Sequence, residues 1–192
     1  MIVGCLGDSI TAGSPLWDPD PAVRAAIGDP DERSQWEWWA MGRHQGLELR
    51  NHGINGQRTD EIATRLEAAA AGAEALVVQG GINDIAQQRS VDDAARNLRA
   101  MVEHGRRLGL RVALVDVLPW PNGDERAAAE IVRLNELIRG IAADLAVPLF
   151  PFHDTLVDPD RPHTMRDGWT DDGAHPSVEG HRLLGELAFR PF

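Results

Sequence analysis

Apolar residues along this chain follow two rhythms. Short apolar runs occupy residues 1–6, 75–79, 111–117 and 147–150, with a weaker one at 47–50. Runs of this length closed by glycine or proline read as strands, and an unbroken one such as Ala75-Leu76-Val77-Val78 suits a sheet covered on both faces. Between the runs, apolar residues recur every three or four positions, the mark of helices packed by one face. The spacing predicts a helix over 34–46 with Trp36, Trp39 and Met41 as packing groups, and another over 59–71. A third covers 91–108, with Ala95, Leu98, Val102 and Leu108 on its apolar side, and a fourth covers 125–145. Pro176 is expected at the first position of a last helix, with Leu183, Leu184 and Leu187 packing inward. Residues 18–31 are dense in Pro, Asp and Gly and read as a long loop, and Asp158-Pro159-Asp160 reads as a turn.

Strand and helix alternate five times with no break in composition and no internal repeat. That pattern predicts one domain over residues 1–192, of α/β class, with three α/β/α layers around a five-stranded parallel sheet. In such a sheet every strand ends on the same edge, so loops far apart in sequence meet there. Ser9, Gly56, Asn83, Trp120 and the loop containing His175 all follow predicted strands or lie in the last loop, and are expected on that edge.

Composition narrows the chemistry. The net charge of −11 argues against a nucleic-acid or anionic-membrane surface, because phosphate needs a concentrated basic footprint. All 19 basic residues are arginine, which excludes a Schiff-base lysine and the lysine of an ATP-type phosphate loop. The single cysteine, Cys5, lies in the first predicted strand and reads as a small buried hydrophobe. No Asp-x-Asp-x-Asp-Gly spacing occurs, so the carboxylates of 18–31 read as solvated turns rather than a calcium site. With the first strand beginning at once and no apolar stretch of about 18 residues, a cytoplasmic protein that acts on a small molecule is expected.

Gly7-Asp8-Ser9-Ile10-Thr11 follows the first strand. Asp8 and Ser9 there serve equally as helix caps, and Ser9 is also placed where parallel sheets bind ligands. Near the other end, Asp172-Gly173-Ala174-His175 sets an aspartate three residues before a histidine, with a glycine that lets the loop fold back. Serine hydrolysis needs a hydroxyl, a base, an acid to orient the base and donors for the oxyanion, and the chain contains each type. Taken singly, Gly56 and Asn83 are ordinary turn formers.

Taken together, these stretches resemble the four sequence blocks of the GDSL, or SGNH, hydrolase family. Gly7-Asp8-Ser9-Ile10 is similar to the nucleophile block, with isoleucine for leucine, and Asn51-His52-Gly53-Ile54-Asn55-Gly56 to the glycine block. Gly81-Ile82-Asn83-Asp84 is similar to the asparagine block, and Asp172-Gly173-Ala174-His175 to the Asp-x-x-His block. The blocks stand in family order and span nearly the whole chain. The resemblance implies a flavodoxin-like SGNH fold, Ser9 as nucleophile, His175 as base, Asp172 as its partner, and an oxyanion hole formed by Ser9, Gly56 and Asn83. It implies scaffold roles for Asp8 and Asp84, and no metal or cofactor. The Asn55-Gly56 pair departs from the small residue often found before that glycine. Trp17, Trp120 and Trp169 are candidate substrate-binding residues, and the loops carry few other large apolar groups, which favours short acyl esters. The family also holds thioesterases, lysophospholipases and carbohydrate deacetylases. A different class of reading is a flavodoxin-like phosphate-binding module that uses the turn from Gly7 to Ser14, although that turn holds no Lys or Arg.

Overall fold

The computed structural model describes residues 1–192. Its sheet contains β1 (Ile2–Gly7), β2 (Glu48–Gly53), β3 (Ala75–Val78), β4 (Arg111–Val115) and β5 (Leu149–Phe150), all parallel, in the order β2-β1-β3-β4-β5. The first strand is therefore central, with Cys5 opposite Asn51 on one side and Val77 on the other. A strand in that position has no wet face, which is why Val3 to Leu6 are all buried.

Two cores lie on the two faces of the sheet. Alternate residues divide between them: Leu76, Val78 and Leu114 enter one core, while Ala75, Val77 and Val115 enter the other. The first core is closed by α4 (Thr59–Ala63), α5 (Leu66–Ala70), α6 (Ile82–Ala86), α7 (Val91–Arg107) and α8 (Glu125–Leu145). The second is closed by α3 (Trp36–Arg43), α9 (Phe152–Leu156), α10 (Val178–Leu183) and a π-helical turn over Leu184–Ala188. At its centre the fully buried Trp36 meets Phe152 edge-on, with ring centroids 5.5 Å apart, and Phe189 at 5.7 Å. Each large apolar side chain buried this way contributes about 1.5–3 kcal/mol. The short α1 (Ser9–Ala12) and α2 (Pro21–Arg24) and a hairpin of β6 (Val157–Asp158) and β7 (Arg161–Met165) complete the chain. No helix is long and apolar enough to cross a membrane.

This is the three-layer arrangement with a five-stranded parallel sheet that the hydrophobic pattern predicts, with local departures. The expected helix over 59–71 is two pieces. Between them Arg65 sends its guanidinium to Gly7 O at 2.9 Å and His52 O at 2.6 Å, and Gln57 Oε1 accepts from its Nε at 2.8 Å. The strand over 111–117 stops at Val115 because the Asn135 side chain replaces a neighbouring strand, accepting from Val117 N at 2.7 Å and donating to Val117 O at 2.9 Å. Pro176 does not open the last helix. Ser177 caps it, accepting from Gly180 N, and Pro176 instead forms a bridge with Thr170. Leu187 is exposed rather than packed inward, because the π-helical turn widens the backbone and brings Ala188 to the core in its place. Leu108, at the C-cap of α7, is exposed as well. The loop over 18–31 contains the single turn of α2, and Asp158-Pro159-Asp160 is the tip of the hairpin.

Candidate active site

β1 ends at Gly7, and Asp8 caps the single turn that begins at Ser9. The Asp8 carboxylate accepts from Ile10 N at 3.0 Å, while its other oxygen is buried without a partner. Burial pushes this carboxyl up to about 6, against the pull of the Ile10 hydrogen bond. Gln79, at the end of β3, fixes the same turn: its Oε1 accepts from Asp8 N at 3.1 Å and from Thr11 Oγ1 at 2.9 Å. Asn51 holds the turn from the β2 side through Thr11 O at 2.7 Å. Ser9 thus rests on a backbone fixed from both neighbouring strands.

The last loop meets it. His175 Nε2 lies 3.1 Å from Ser9 Oγ, and His175 Nδ1 lies 2.7 Å from Asp172 Oδ2. The second carboxylate oxygen, Asp172 Oδ1, accepts from Ala174 N and from His175 N, both at 2.8 Å. Burial raises the Asp172 carboxyl, but the hydrogen bonds from the His175 ring and from those two amides outweigh it and hold the group below the ordinary carboxylate range. Asp172 is therefore an acceptor at neutral pH, so Nδ1 carries the ring proton and Nε2 is free to accept from Ser9. An arrangement of this kind can take a proton from the hydroxyl as it attacks and return it to a leaving group.

The other two blocks arrive from the opposite layer. Gly56 sits in the turn before α4 with φ +79°, a conformation glycine adopts without strain. Asn83 lies in the first turn of α6, a helix that sequence alone had reduced to a turn, and its amide donates to Gln57 O at 3.1 Å. Gln87, one turn on, donates to Gly56 O at 3.2 Å. The two segments are locked together by Asp84, which accepts from Thr59 N and Thr59 Oγ1 at 2.9 Å each. The Asp8 carboxylate thus binds backbone, and Asp84 binds backbone and a neighbouring hydroxyl. The N–H groups of Ser9 and Gly56 have no backbone acceptor within the chain.

Asn122 was not legible from sequence. It follows Trp120 in the loop after β4, and its amide donates to Asp172 O at 2.6 Å while its N–H donates to Gly173 O at 3.2 Å. Gly173 has φ +72°, and a Cβ there would strike the Asn122 amide, so the Asp172 loop folds back only with glycine at this point. Of the three tryptophan candidates, Trp17 has the Arg24 guanidinium over its ring at 4.4 Å and Trp169 has that of Arg166 at 5.1 Å. Trp120 lines a cavity of about 460 Å³. No group of three or more metal-ligating side chains is present.

Behind the site lies His181, fully buried with both ring nitrogens unpartnered. Burial, and after it the charge of His175, pushes its pKa down to about 3. A base whose folded pKa lies below its unfolded value of about 6.5 contributes full stability above that value and loses it as pH falls toward the folded pKa. Asp8 has the opposite sign, its contribution shrinking as pH rises from the unfolded value toward about 6. The comparison of wild type with His181→Leu isolates the histidine. The wild-type stability lost between pH 7 and 4.5 is expected to exceed the variant's by on the order of 2–3 kcal/mol in urea unfolding. Equal losses in the two proteins would show that His181 is not buried in its neutral form.

The geometry can be set beside known proteins. The chain matches the sequence model of the GDSL-like lipase/acylhydrolase family over residues 5–183. A lipolytic protein of the G-D-S-L family from Desulfitobacterium hafniense DCB-2 superposes with a TM-score of 0.79 at 23% identity, covering 96% of this chain and 95% of that one. Axe2, an acetylxylan esterase from Geobacillus stearothermophilus, superposes at 0.74 with 18% identity, over 96% of this chain and 90% of that one. A structure of TesA superposes at 0.74 with 23% identity, over 97% and 94%. No curated protein sequence matches. With four blocks in order on one sheet edge and the family model spanning nearly all of its length, the chain belongs to the GDSL-like lipase/acylhydrolase family.

Proposed function

We propose that the chain is a serine hydrolase that cleaves carboxylic esters of short acyl chains through an acyl-enzyme on Ser9. The observation that carries this reading is the unbroken hydrogen-bonded series from Ser9 Oγ through His175 to Asp172, 3.1 Å and 2.7 Å long in its two links. In the first half-reaction His175 Nε2 takes the Ser9 proton as Oγ attacks the acyl carbon. The carbonyl oxygen becomes an oxyanion, held by the N–H groups of Ser9 and Gly56 and by the Asn83 amide. His175 then returns the proton to the leaving alcohol as the tetrahedral intermediate collapses to the acyl-enzyme. Water, deprotonated by His175, attacks this ester, and the proton goes back to Ser9 as the acid leaves. The phosphate-module reading gives no work to Asp172 and His175, although both are hydrogen-bonded in line with Ser9.

Asn83 separates transition-state from ground-state binding. Asn83→Ala is expected to lower kcat by on the order of 10²–10³ with a smaller effect on KM, because its amide helps most once charge has developed on oxygen. Steady-state kinetics on p-nitrophenyl acetate decide this, and an effect confined to KM would make Asn83 a substrate-binding residue instead.

Acyl length follows from shape. Neither Ser9 nor His175 lines any of five cavities whose volumes run from about 290 to 490 Å³. A chain that buried each successive CH₂ would gain about 0.8 kcal/mol per step, so a deep acyl groove should show as kcat/KM rising along a series. The reverse is expected, with acetyl to butyryl p-nitrophenyl esters preferred and activity falling by octanoyl. A maximum at ten carbons or more overturns the short-acyl reading. Axe2, which shares this fold, is named an acetylxylan esterase, and an acetyl ester lies on the short-acyl side.

A further inference from the structure

We propose that Arg65 is a positioning residue for the oxyanion hole, and that its guanidinium holds the Gly56 N–H in register with that of Ser9. The inference deepens the acyl-enzyme reading and rests on it, because the hole has a role only if an oxyanion forms. Of the three donors, the Ser9 N–H is carried by the buried turn after β1 and the half-buried Asn83 by α6. Gly56 has no such support. Ile54, Asn55 and Gly56 are all exposed, and a Cβ placed on Gly56 would meet nothing within 4 Å. A segment with so few buried contacts opens locally at small cost in free energy. Its N–H can serve an oxyanion only where hydrogen bonds fix it, since such a donor must stay within about 0.5 Å of its working position.

Those bonds converge on Arg65. Its Nε donates to Gln57 Oε1 at 2.8 Å, one residue past Gly56, while Nη1 donates to His52 O at 2.6 Å and Nη2 to Gly7 O at 2.9 Å. Gly7 O also accepts from Ile54 N at 3.1 Å. The turn is therefore tied to the end of β1 on both sides of Gly56, directly before it and through the guanidinium after it. Gln57 is also where Asn83 bonds, its amide donating to Gln57 O at 3.1 Å. One residue thus joins the Gly56 turn to both other donors: its main chain reaches Asn83, and its side chain reaches, through Arg65, the strand that leads to Ser9.

The chemistry of the side chain suits this task. The three acceptors lie on three separate segments, and a planar guanidinium presents a donor to each at once. All three are uncharged oxygens, so the half-buried cation is spent on backbone and amide rather than on an ion pair. Arg65 also borders a cavity of about 470 Å³, together with His52 and Asn55. A small cation can therefore enter the place that a truncated Arg65 vacates.

The test is steady-state kinetics on p-nitrophenyl acetate with Arg65→Ala and Gln57→Ala. Arg65→Ala is expected to lower kcat by about 10²-fold with KM little changed, close to the loss of one oxyanion donor. Guanidinium chloride at millimolar concentration, far below denaturing levels, should restore part of that kcat. Methylammonium should not, because one ammonium cannot bridge three acceptors. Gln57→Ala cuts the bond from Nε alone and leaves the backbone bonds of Arg65 and Asn83 in place, so a smaller fall in kcat of about tenfold is expected. This change at the surface keeps the test open where Arg65→Ala does not fold. In both variants the pH dependence of kcat/KM should keep its wild-type midpoint, since the His175–Asp172 pair is untouched. An unchanged kcat in Gln57→Ala overturns the positioning role, as does a loss confined to KM, equal recovery with either cation, or a loss that deepens with guanidinium as unfolding would produce. If wild type hydrolyses no ester and Ser9 takes no fluorophosphonate, the acyl-enzyme reading itself fails and the role of Arg65 with it. Wild-type turnover with labelled Ser9, and kcat unmoved in the variants, removes that role alone.

Discussion

Ser9→Ala is expected to abolish ester hydrolysis, lowering kcat by on the order of 10⁴–10⁶, while the fold survives. The size follows from the role proposed for Ser9 Oγ: without it there is no atom to form the acyl-enzyme, and His175 has nothing to deprotonate but water. The survival follows from contacts. The side-chain hydroxyl of Ser9 bonds to His175 alone, while its carbonyl accepts from Gly13 N and Ser14 N whatever the side chain. The same protein should differ from wild type in one covalent test, with a fluorophosphonate labelling Ser9 in wild type and nothing in the variant. Retained activity in a correctly folded Ser9→Ala protein, or labelling at another residue, would remove the hydrolase assignment.

The second large effect separates two adjacent carboxylates. Asp172→Asn should lower kcat by about 10²–10⁴, whereas Asp171→Asn should change it little. Asparagine can keep its oxygen on Ala174 N and His175 N, so the loop holds its shape. Its amide nitrogen then faces His175 Nδ1, and two donors cannot share that contact. The ring proton moves to Nε2, where it confronts Ser9 and leaves no lone pair to act as base. Asp171 is exposed, and its side chain makes no hydrogen bond. A kcat loss in Asp171→Asn larger than that in Asp172→Asn would show that the acid has been misassigned.

Much of this was legible because two kinds of signal are local. Unbroken apolar runs such as Ala75–Val78, short and closed by glycine, suit strands buried on both faces, and four short blocks kept in order identify one edge of one sheet. The positions of Ser9 and His175 follow from those two facts, although 166 residues separate them. What escaped was set by long-range geometry. Arg65 looks like one more polar residue on an amphipathic helix, and nothing in its neighbours tells that its guanidinium turns under the ends of β1 and β2 and breaks the helix there. Asn122 looks like a turn residue until Gly173 is seen to leave room for it. Asn135 reads as a polar interruption in α8, yet it ends a strand that the apolar pattern would continue. The π-helical turn after Leu183 has no periodicity of its own, so the apolar spacing points Leu187 inward where the structure exposes it. In each case a single side chain bonds to backbone remote in sequence, and neither composition nor spacing records such a bond.

The two groups of residues at the sheet edge belong to different layers. Gly56 and Asn83 are carried by the segments that open α4 and α6, whose Ile62 and Ile85 lie in the first core. His175 is carried by the loop that enters α10, whose continuation places Leu184 and Ala188 in the second. Only the β1 turn, with Ser9, is common to both. The proposed handling of the oxyanion and the proposed handling of the proton are therefore inherited through separate packing environments. Drift in the residues behind one layer can alter which carbonyl is gripped while the acid–base partners keep their spacing, and drift behind the other can do the converse. Such a seam makes the architecture tolerant of divergence: a lineage can exchange one ester for another by repacking half of the molecule.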